Sequence, residues 1–189
     1  MKKALVFKKD SMLSLSDSLK KGLADIKKEK KRIEAQSSLT LLLDCSGSMS
    51  EYVKGKSKFD ALMEAIQDYP RASYISFSES ACLGIETFPA GETNMAEAFR
   101  LCTTLPRSKR QTIIVISDGL PDSESQAIEE ALKLATPVNI IYIGPGGDKG
   151  EEFMKKLAEI TGGRQTTVNT KDTSLLLEKE IKKEIKLLE

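Results

Sequence analysis

The fold can be read from LTLLLDCSGSMS, residues 39–50. Its first half, LTLLLD (39–44), is apolar on successive positions. A strand of that kind needs cover on both faces, as in a parallel sheet between two layers. Its second half alternates, with Asp44, Ser46 and Ser48 separated by Cys45 and Gly47. Carboxylates and hydroxyls are costly to bury without partners. Alternation also sends all three to the same side of an extended chain. Something at the end of this strand must pair with them.

Similar apolar runs recur further along the chain. TIIVIS (112–117) and VNIIYI (138–143) read as further buried strands. Helical patterns lie between them. KFDALMEAIQDY (58–69) puts Leu62, Ala65, Ile66 and Tyr69 on one side, and NMAEAFRLCTTL (94–105) follows Thr93. SESQAIEEALKLA (123–135) follows Pro121 and Asp122, and EEFMKKLAEI (151–160) ends before Gly162–Gly163, a helix stop. ASYISFSESACLGIE (72–86) reads as a hairpin turning at Ser78–Glu79–Ser80. RQTTVN (164–169) is a last short strand. A helix is expected from Asp172 to the C-terminus, with Leu175, Leu176, Ile181, Ile185 and Leu188 near one stripe. The pattern predicts an open α/β fold: a mostly parallel central sheet, one antiparallel edge strand, and helices on both faces. Ligands of such sheets bind at the carboxyl ends of strands, where strand order reverses. Asp44 ends the first sheet strand, and Asp118 lies just beyond another.

Residues 1–36 read differently, as a basic helical extension ahead of a domain over 37–189. Leu15, Leu19, Leu23 and Ile26 fall on one helical face, while lysines crowd the other positions. That face is expected to dock on a partner or on the sheet's own helices. Asp25, Glu29 and Glu34 dilute the charge that a nucleic-acid or membrane-surface arm would need.

Composition narrows the chemistry. The chain has 189 residues, enough for one domain and a short extension, and a net charge of +1 that favours neither nucleic acid nor membrane. There is no Trp and only 5% aromatic residues, so base-stacking platforms are poorly supplied. There is no His, which removes imidazole acid–base work, a Ser–His triad and His metal sites. Cys45, Cys82 and Cys102 form no CxxC pair, and their odd number makes a poor disulfide framework. The N-terminal apolar core is too short for a signal peptide, and no window reaches the roughly 18 apolar residues of a membrane span. These features predict a cytoplasmic protein with reduced thiols and no membrane insertion.

The polar residues at the strand ends are all hard oxygen donors. Asp44, Ser46 and Ser48 come first, Thr93 in GETN (91–94) adds a hydroxyl, and Asp118 in SDG (117–119) adds a second carboxylate. That mixture suits a hard divalent cation, Mg²⁺ or Mn²⁺, and leaves a coordination position for an outside anion.

DCSGS, then GETN, then ISDG, in that order, resembles the metal-ion-dependent adhesion site of von Willebrand factor A (vWA) domains. That family's pattern is Asp-x-Ser-x-Ser, then a Thr, then an Asp, on three loops. Asp44, Ser46, Ser48, Thr93 and Asp118 match all five positions. IIYIGPGGDKGEEFMKKLAEITGGR (140–164) is also similar to a later stretch of many bacterial vWA domains, so the resemblance covers roughly 37–170. Glu92 departs from it, standing where a second glycine is common. The resemblance implies a vWA/Rossmann-like fold of the intracellular bacterial or phage-like type. It also implies a protein-binding module in which a partner's Glu or Asp completes the ion's shell. By analogy of fold, it implies an adaptor or assembly factor, in some relatives beside an AAA+ ATPase.

Rival readings are weaker. A haloacid-dehalogenase-like phosphatase needs a second Asp two positions after its nucleophile, where this chain has Ser46. A serine hydrolase lacks both a His and a GxSxG elbow. GPGGDKG (144–150) fails GxGxxG at Lys149 and is no GxxxxGK[ST] loop, so it reads as a strand-to-helix turn. The expectation is therefore a binding protein and not an enzyme, or else a vWA domain with a purely structural interface.

Overall fold

The computed structural model describes residues 9–171 and 176–189. The elements run α1 (Lys9–Ser38), β1 (Leu39–Asp44), β2 (Tyr52–Val53), β3 (Lys56–Ser57), α2 (Lys58–Ile66), β4 (Ser73–Phe77), β5 (Ala81–Leu83) and α3 (Met95–Thr104). They continue with β6 (Thr112–Ser117), α4 (Glu124–Lys133), β7 (Val138–Gly144), α5 (Lys149–Thr161), β8 (Gln165–Asn169) and α6 (Leu177–Leu188). The chain divides into two compact units with the boundary between Ala35 and Gln36. In the first, Leu23 and Ile26 of α1 are exposed. The side chains of Leu15 and Leu19 lie outside the described residues, as do Asp172 and Leu175 at the expected start of the last helix.

In the second unit a six-stranded sheet has the order β5-β4-β1-β6-β7-β8. All neighbours are parallel except β5, which runs antiparallel to β4 at one edge. Strand alternation divides the core in two. Leu39, Leu41 and Leu43 join Ile114, Ile116, Ile141 and Ile143 on one face, under Phe59 and Leu62 of α2 and Ile181 and Ile185 of α6. Leu42 joins Ile75, Ile113, Val115 and Ile140 on the other, under Phe99 of α3, Ala127 of α4 and Leu157 of α5. Complete burial of each Leu or Ile contributes about 1.5–3 kcal/mol. Both faces being covered is why these strands are apolar without alternation.

From β1 the chain crosses to β4 on one side, and after β5 it returns through α3 to β6 on the other. Strand order therefore reverses at β1, whose carboxyl end is Asp44. Sheets of this kind bind ligands outside the strand ends at such a reversal, and here the alternating acid and hydroxyls begin at that point.

Two helix boundaries and one added hairpin stand out against the sequence expectation. The α2 helix ends at Ile66, short of Tyr69, because Pro70 biases the residue before it away from helical backbone. The α5 helix starts earlier, at Lys149, because the Asp148 carboxylate accepts the Glu151 N–H at 2.9 Å and caps it. The β2–β3 hairpin has no counterpart in the sequence reading. Its turn holds Lys54 at φ 53° and Gly55 at φ 89°, and Lys-Gly lacks the Asn-Gly or Asp-Gly signature of such turns.

Gly162 and Gly163 end α5 for two different reasons. Gly162 takes the left-handed conformation at φ 78°. Gly163 packs so tightly on β7 that an added Cβ would lie 2.0 Å from the Val138 carbonyl oxygen. Gly163→Ala should therefore destabilise the domain by on the order of 3 kcal/mol, and Gly162→Ala by only about 1 kcal/mol. Denaturant unfolding of both variants measures the contrast.

Candidate metal centre

Asp44 leaves β1 on the face shared with Leu42 and is fully buried. Its Oδ1 accepts the Ser46 N–H at 2.8 Å, and its Oδ2 accepts the Ser117 hydroxyl at 2.5 Å. Both donors are neutral, and among the described residues no ion pair reaches this carboxylate. Burial accordingly raises the Asp44 pKa from 3.8 to about 6, with Ser117 and Ser46 pulling the other way and the Asp118 charge adding to the rise. Cys45 turns to the opposite core, where burial pushes its thiol up to about 12 and leaves it protonated.

The chain then winds into a short 3₁₀ turn, Gly47–Ser50, which points two hydroxyls at one place. Ser46 Oγ and Ser48 Oγ lie 3.1 Å apart, and Ser48 Oγ donates to Asp118 Oδ1 at 2.6 Å. In an octahedral shell with bonds of about 2.1 Å, adjacent oxygens stand about 3 Å apart. The two spacings bracket that edge. The donor set therefore fits a small hard cation. Among the described residues no cluster of three or more His, Cys, Asp or Glu could hold an ion. Hydroxyl oxygens consequently carry much of this candidate site.

A second loop is laid against the first by backbone hydrogen bonds. Ala90 N–H donates to the Cys45 carbonyl at 2.9 Å, and Gly47 N–H donates to the Gly91 carbonyl at 3.0 Å. Gly91 is required there: it sits at φ 76°, and a Cβ would meet the Glu79 side chain at 2.7 Å. Two residues on, Thr93 is buried and its N–H donates to Asp122 Oδ1 at 2.9 Å. The Asp122 N–H returns a bond to the Thr93 carbonyl at 3.0 Å. The loops after β1, before α3 and after β6 are thereby tied together. Hydrogen bonds link Asp44, Ser46, Ser48 and Asp118 into one cluster. Thr93 is held on the adjoining loop by its backbone, and among the described residues no hydrogen bond joins its hydroxyl to the other four.

Three participants escape the sequence reading. Ser117 steadies Asp44; in the SDG triplet it reads only as a strand residue beside Asp118. Lys58 is 5% exposed and donates to Asp118 Oδ2 at 2.8 Å and to Glu51 Oε2 at 2.5 Å. Burial alone would lower the Lys58 pKa, but the bonds to Asp118 and Glu51 outweigh it and hold the ammonium above its ordinary value. A lysine opening a helix reads as a solvated residue, so no sequence signal marks Lys58. Glu51 is equally unmarked, because the β2–β3 hairpin that brings it back to Lys58 has no signature of its own.

No protein-family model matches this sequence, and no curated protein does. Solved structures do. The manganese-loaded TRAP protein of Plasmodium vivax matches at 20% identity and TM-score 0.51, over 76% of this chain and 72% of that one. A von Willebrand factor type A protein from Catenulispora acidiphila matches at 15% identity and TM-score 0.58, over 77% of this chain and 41% of that one. Proximal thread matrix protein 1 from the mussel byssus, with zinc in its MIDAS motif, matches at 16% identity and TM-score 0.53, over 77% and 45%. The matched region spans less than half the length of the latter two proteins. These likenesses show the fold, a vWA/Rossmann-like α/β sheet, as the strand order does independently.

The raised Asp44 pKa has a signed consequence for chelator-treated protein. The folded state holds a proton more tightly than the unfolded state, so stability falls as pH rises from about 3.8 through about 6. The loss attributable to Asp44 is on the order of 3 kcal/mol, at about 1.4 kcal/mol per tenfold. Asp44→Asn should be free of it, since a neutral amide oxygen still accepts the Ser46 N–H. Subtracting the variant's unfolding free energy from wild type at pH 4 and pH 7.5, with chelator, isolates that group from the other carboxylates.

Proposed function

We propose that this chain is a metal-dependent protein-binding module. In this reading Asp44, Ser46, Ser48, Thr93 and Asp118 hold Mg²⁺ or Mn²⁺, and a partner protein supplies a Glu or Asp. The observation that carries it is Asp44, a fully buried carboxylate with neutral donors only, beside two hydroxyls and a second carboxylate at ligand-to-ligand spacing. A buried charge without a counter-charge is expensive. A divalent cation offsets that cost and supplies an open position for an outside carboxylate.

The chain's own residues define the capture surface. Tyr52, Phe88 and Leu120 are exposed, and each lies on a segment that borders the site. Tyr52 follows Glu51 in the hairpin, Phe88 stands two residues before Ala90, and Leu120 two after Asp118. A partner that buries apolar side chains around one acidic residue suits that surface. Binding without turnover is the reading these residues support: Ser46 stands where a phosphatase of the haloacid-dehalogenase type has its acid, and the chain contains no His. We place the protein in the cytoplasm as an adaptor or assembly factor, with an AAA+ ATPase system as a candidate setting. None of the described helices is long and apolar enough to cross a membrane.

Asp44→Ala should abolish calorimetrically detected Mg²⁺ and Mn²⁺ binding, together with metal-dependent partner capture. Thr93→Ala should weaken both while changing stability by no more than about 1 kcal/mol. Equal partner capture by wild type and Asp44→Ala, with chelator making no difference, would sink the proposal.

A further inference from the structure

Asp118 is not free to meet a cation on equal terms with Asp44. Its side chain is fully buried, and its two oxygens have separate partners: Ser48 takes Oδ1, and the Lys58 ammonium takes Oδ2. Lys58 is anchored at both ends. Its backbone N–H donates to the Glu51 carbonyl at 3.0 Å, and it follows Ser57, whose hydroxyl accepts the Asp60 N–H and caps α2. Its ammonium is divided between Asp118, deep in the site, and Glu51, whose side chain is 67% exposed.

We propose that Lys58 is a tethered counter-cation that sets the metal affinity of this site. Its ammonium neutralises Asp118 and opposes a divalent ion through like charge, while Glu51 draws part of that ammonium away and relieves the opposition. Lys58 is thus a positioning residue: it ligates nothing, but it fixes one Asp118 oxygen and leaves the one facing Ser48 toward the cluster. The inference rests on the metal-site reading above. It adds that affinity is governed from the β2–β3 hairpin, where Glu51 lies within reach of an approaching partner. A partner cation that engaged Glu51 would return the ammonium to Asp118 and loosen the metal. A partner carboxylate that engaged Lys58 would do the reverse.

A double-mutant cycle on the full chain, read by Mn²⁺ calorimetry and by melting in chelator, tests this. Lys58→Met keeps the aliphatic stem and removes the charge. It should bind Mn²⁺ about tenfold more tightly than wild type, the scale of one nearby charge weakened by solvent. In chelator it should melt below wild type, with Mn²⁺ closing the gap, because Asp118 has lost its partner. Glu51→Gln should bind Mn²⁺ several-fold more weakly, and Lys58→Met/Glu51→Gln should match Lys58→Met alone. Unchanged or weaker Mn²⁺ binding by Lys58→Met, in proteins that all bind the ion, overturns the proposal and leaves the metal site standing. Mn²⁺ binding by none of the four proteins overturns both. Glu51 is exposed enough for Glu51→Gln to fold, so that variant is decisive on its own should Lys58→Met not fold. Mn²⁺ affinity equal to wild type in Glu51→Gln overturns the proposal.

Discussion

The carboxylate of Asp44 is buried at the end of a strand that is itself fully covered, and the rest of the site is arranged around that burial. The Leu39–Leu43 run carries Asp44 to a position with no exposed surface. An isolated charge there would cost several kcal/mol. The surroundings respond with oriented dipoles: one backbone N–H from Ser46 and one hydroxyl from Ser117. They lower the cost without removing it, as the raised pKa records. In the proposed reading, a cation completes this electrostatically unfinished site, and its hydroxyls keep the total negative charge low.

The two carboxylates are therefore not equivalent. Asp118 has an ammonium against it; Asp44 has none among the described residues. Equal treatment would have given either a neutral, closed polar core or a strongly acidic one. The asymmetry leaves one charge open and one balanced. Glu51 and Lys58 extend the balance outward through a hairpin to the exposed surface. In the proposed reading, metal affinity and partner approach are controlled from these two neighbouring residues.

The scaffold tolerates such loops because its stability lies elsewhere. Two apolar layers hold six strands, and the strand order reverses at β1. The loops at that reversal diverge and are re-tied by a few backbone bonds, Gly47 to Gly91 and Thr93 to Asp122 among them. Those bonds set the separation of the side chains without demanding particular side chains at most positions. This explains how a chain of 15–20% identity to known structures keeps their fold.

Local information in the chain is enough for the strands and helices of the main sheet and for its antiparallel edge hairpin, and it marks five oxygen-bearing residues as candidates. It consists of apolar runs, helical spacing, glycine stops, and the alternation of Asp44, Ser46 and Ser48. Boundaries shift where one side chain or ring intervenes, as Asp148 does for α5 and Pro70 for α2. The differences among the five residues arise only in the folded domain. Ser46, Ser48 and Asp118 meet through contacts up to 70 positions apart, and Ser117 reaches Asp44 across 73. Lys58 and Glu51 carry no local mark, because a lysine or glutamate beside a helix start is ordinarily solvated. Their charge acquires meaning only when the β2–β3 hairpin brings Glu51 back to Lys58 and Lys58 meets Asp118. Charge pairing in a buried site depends on distance and dielectric, and neither is written in the order of residues.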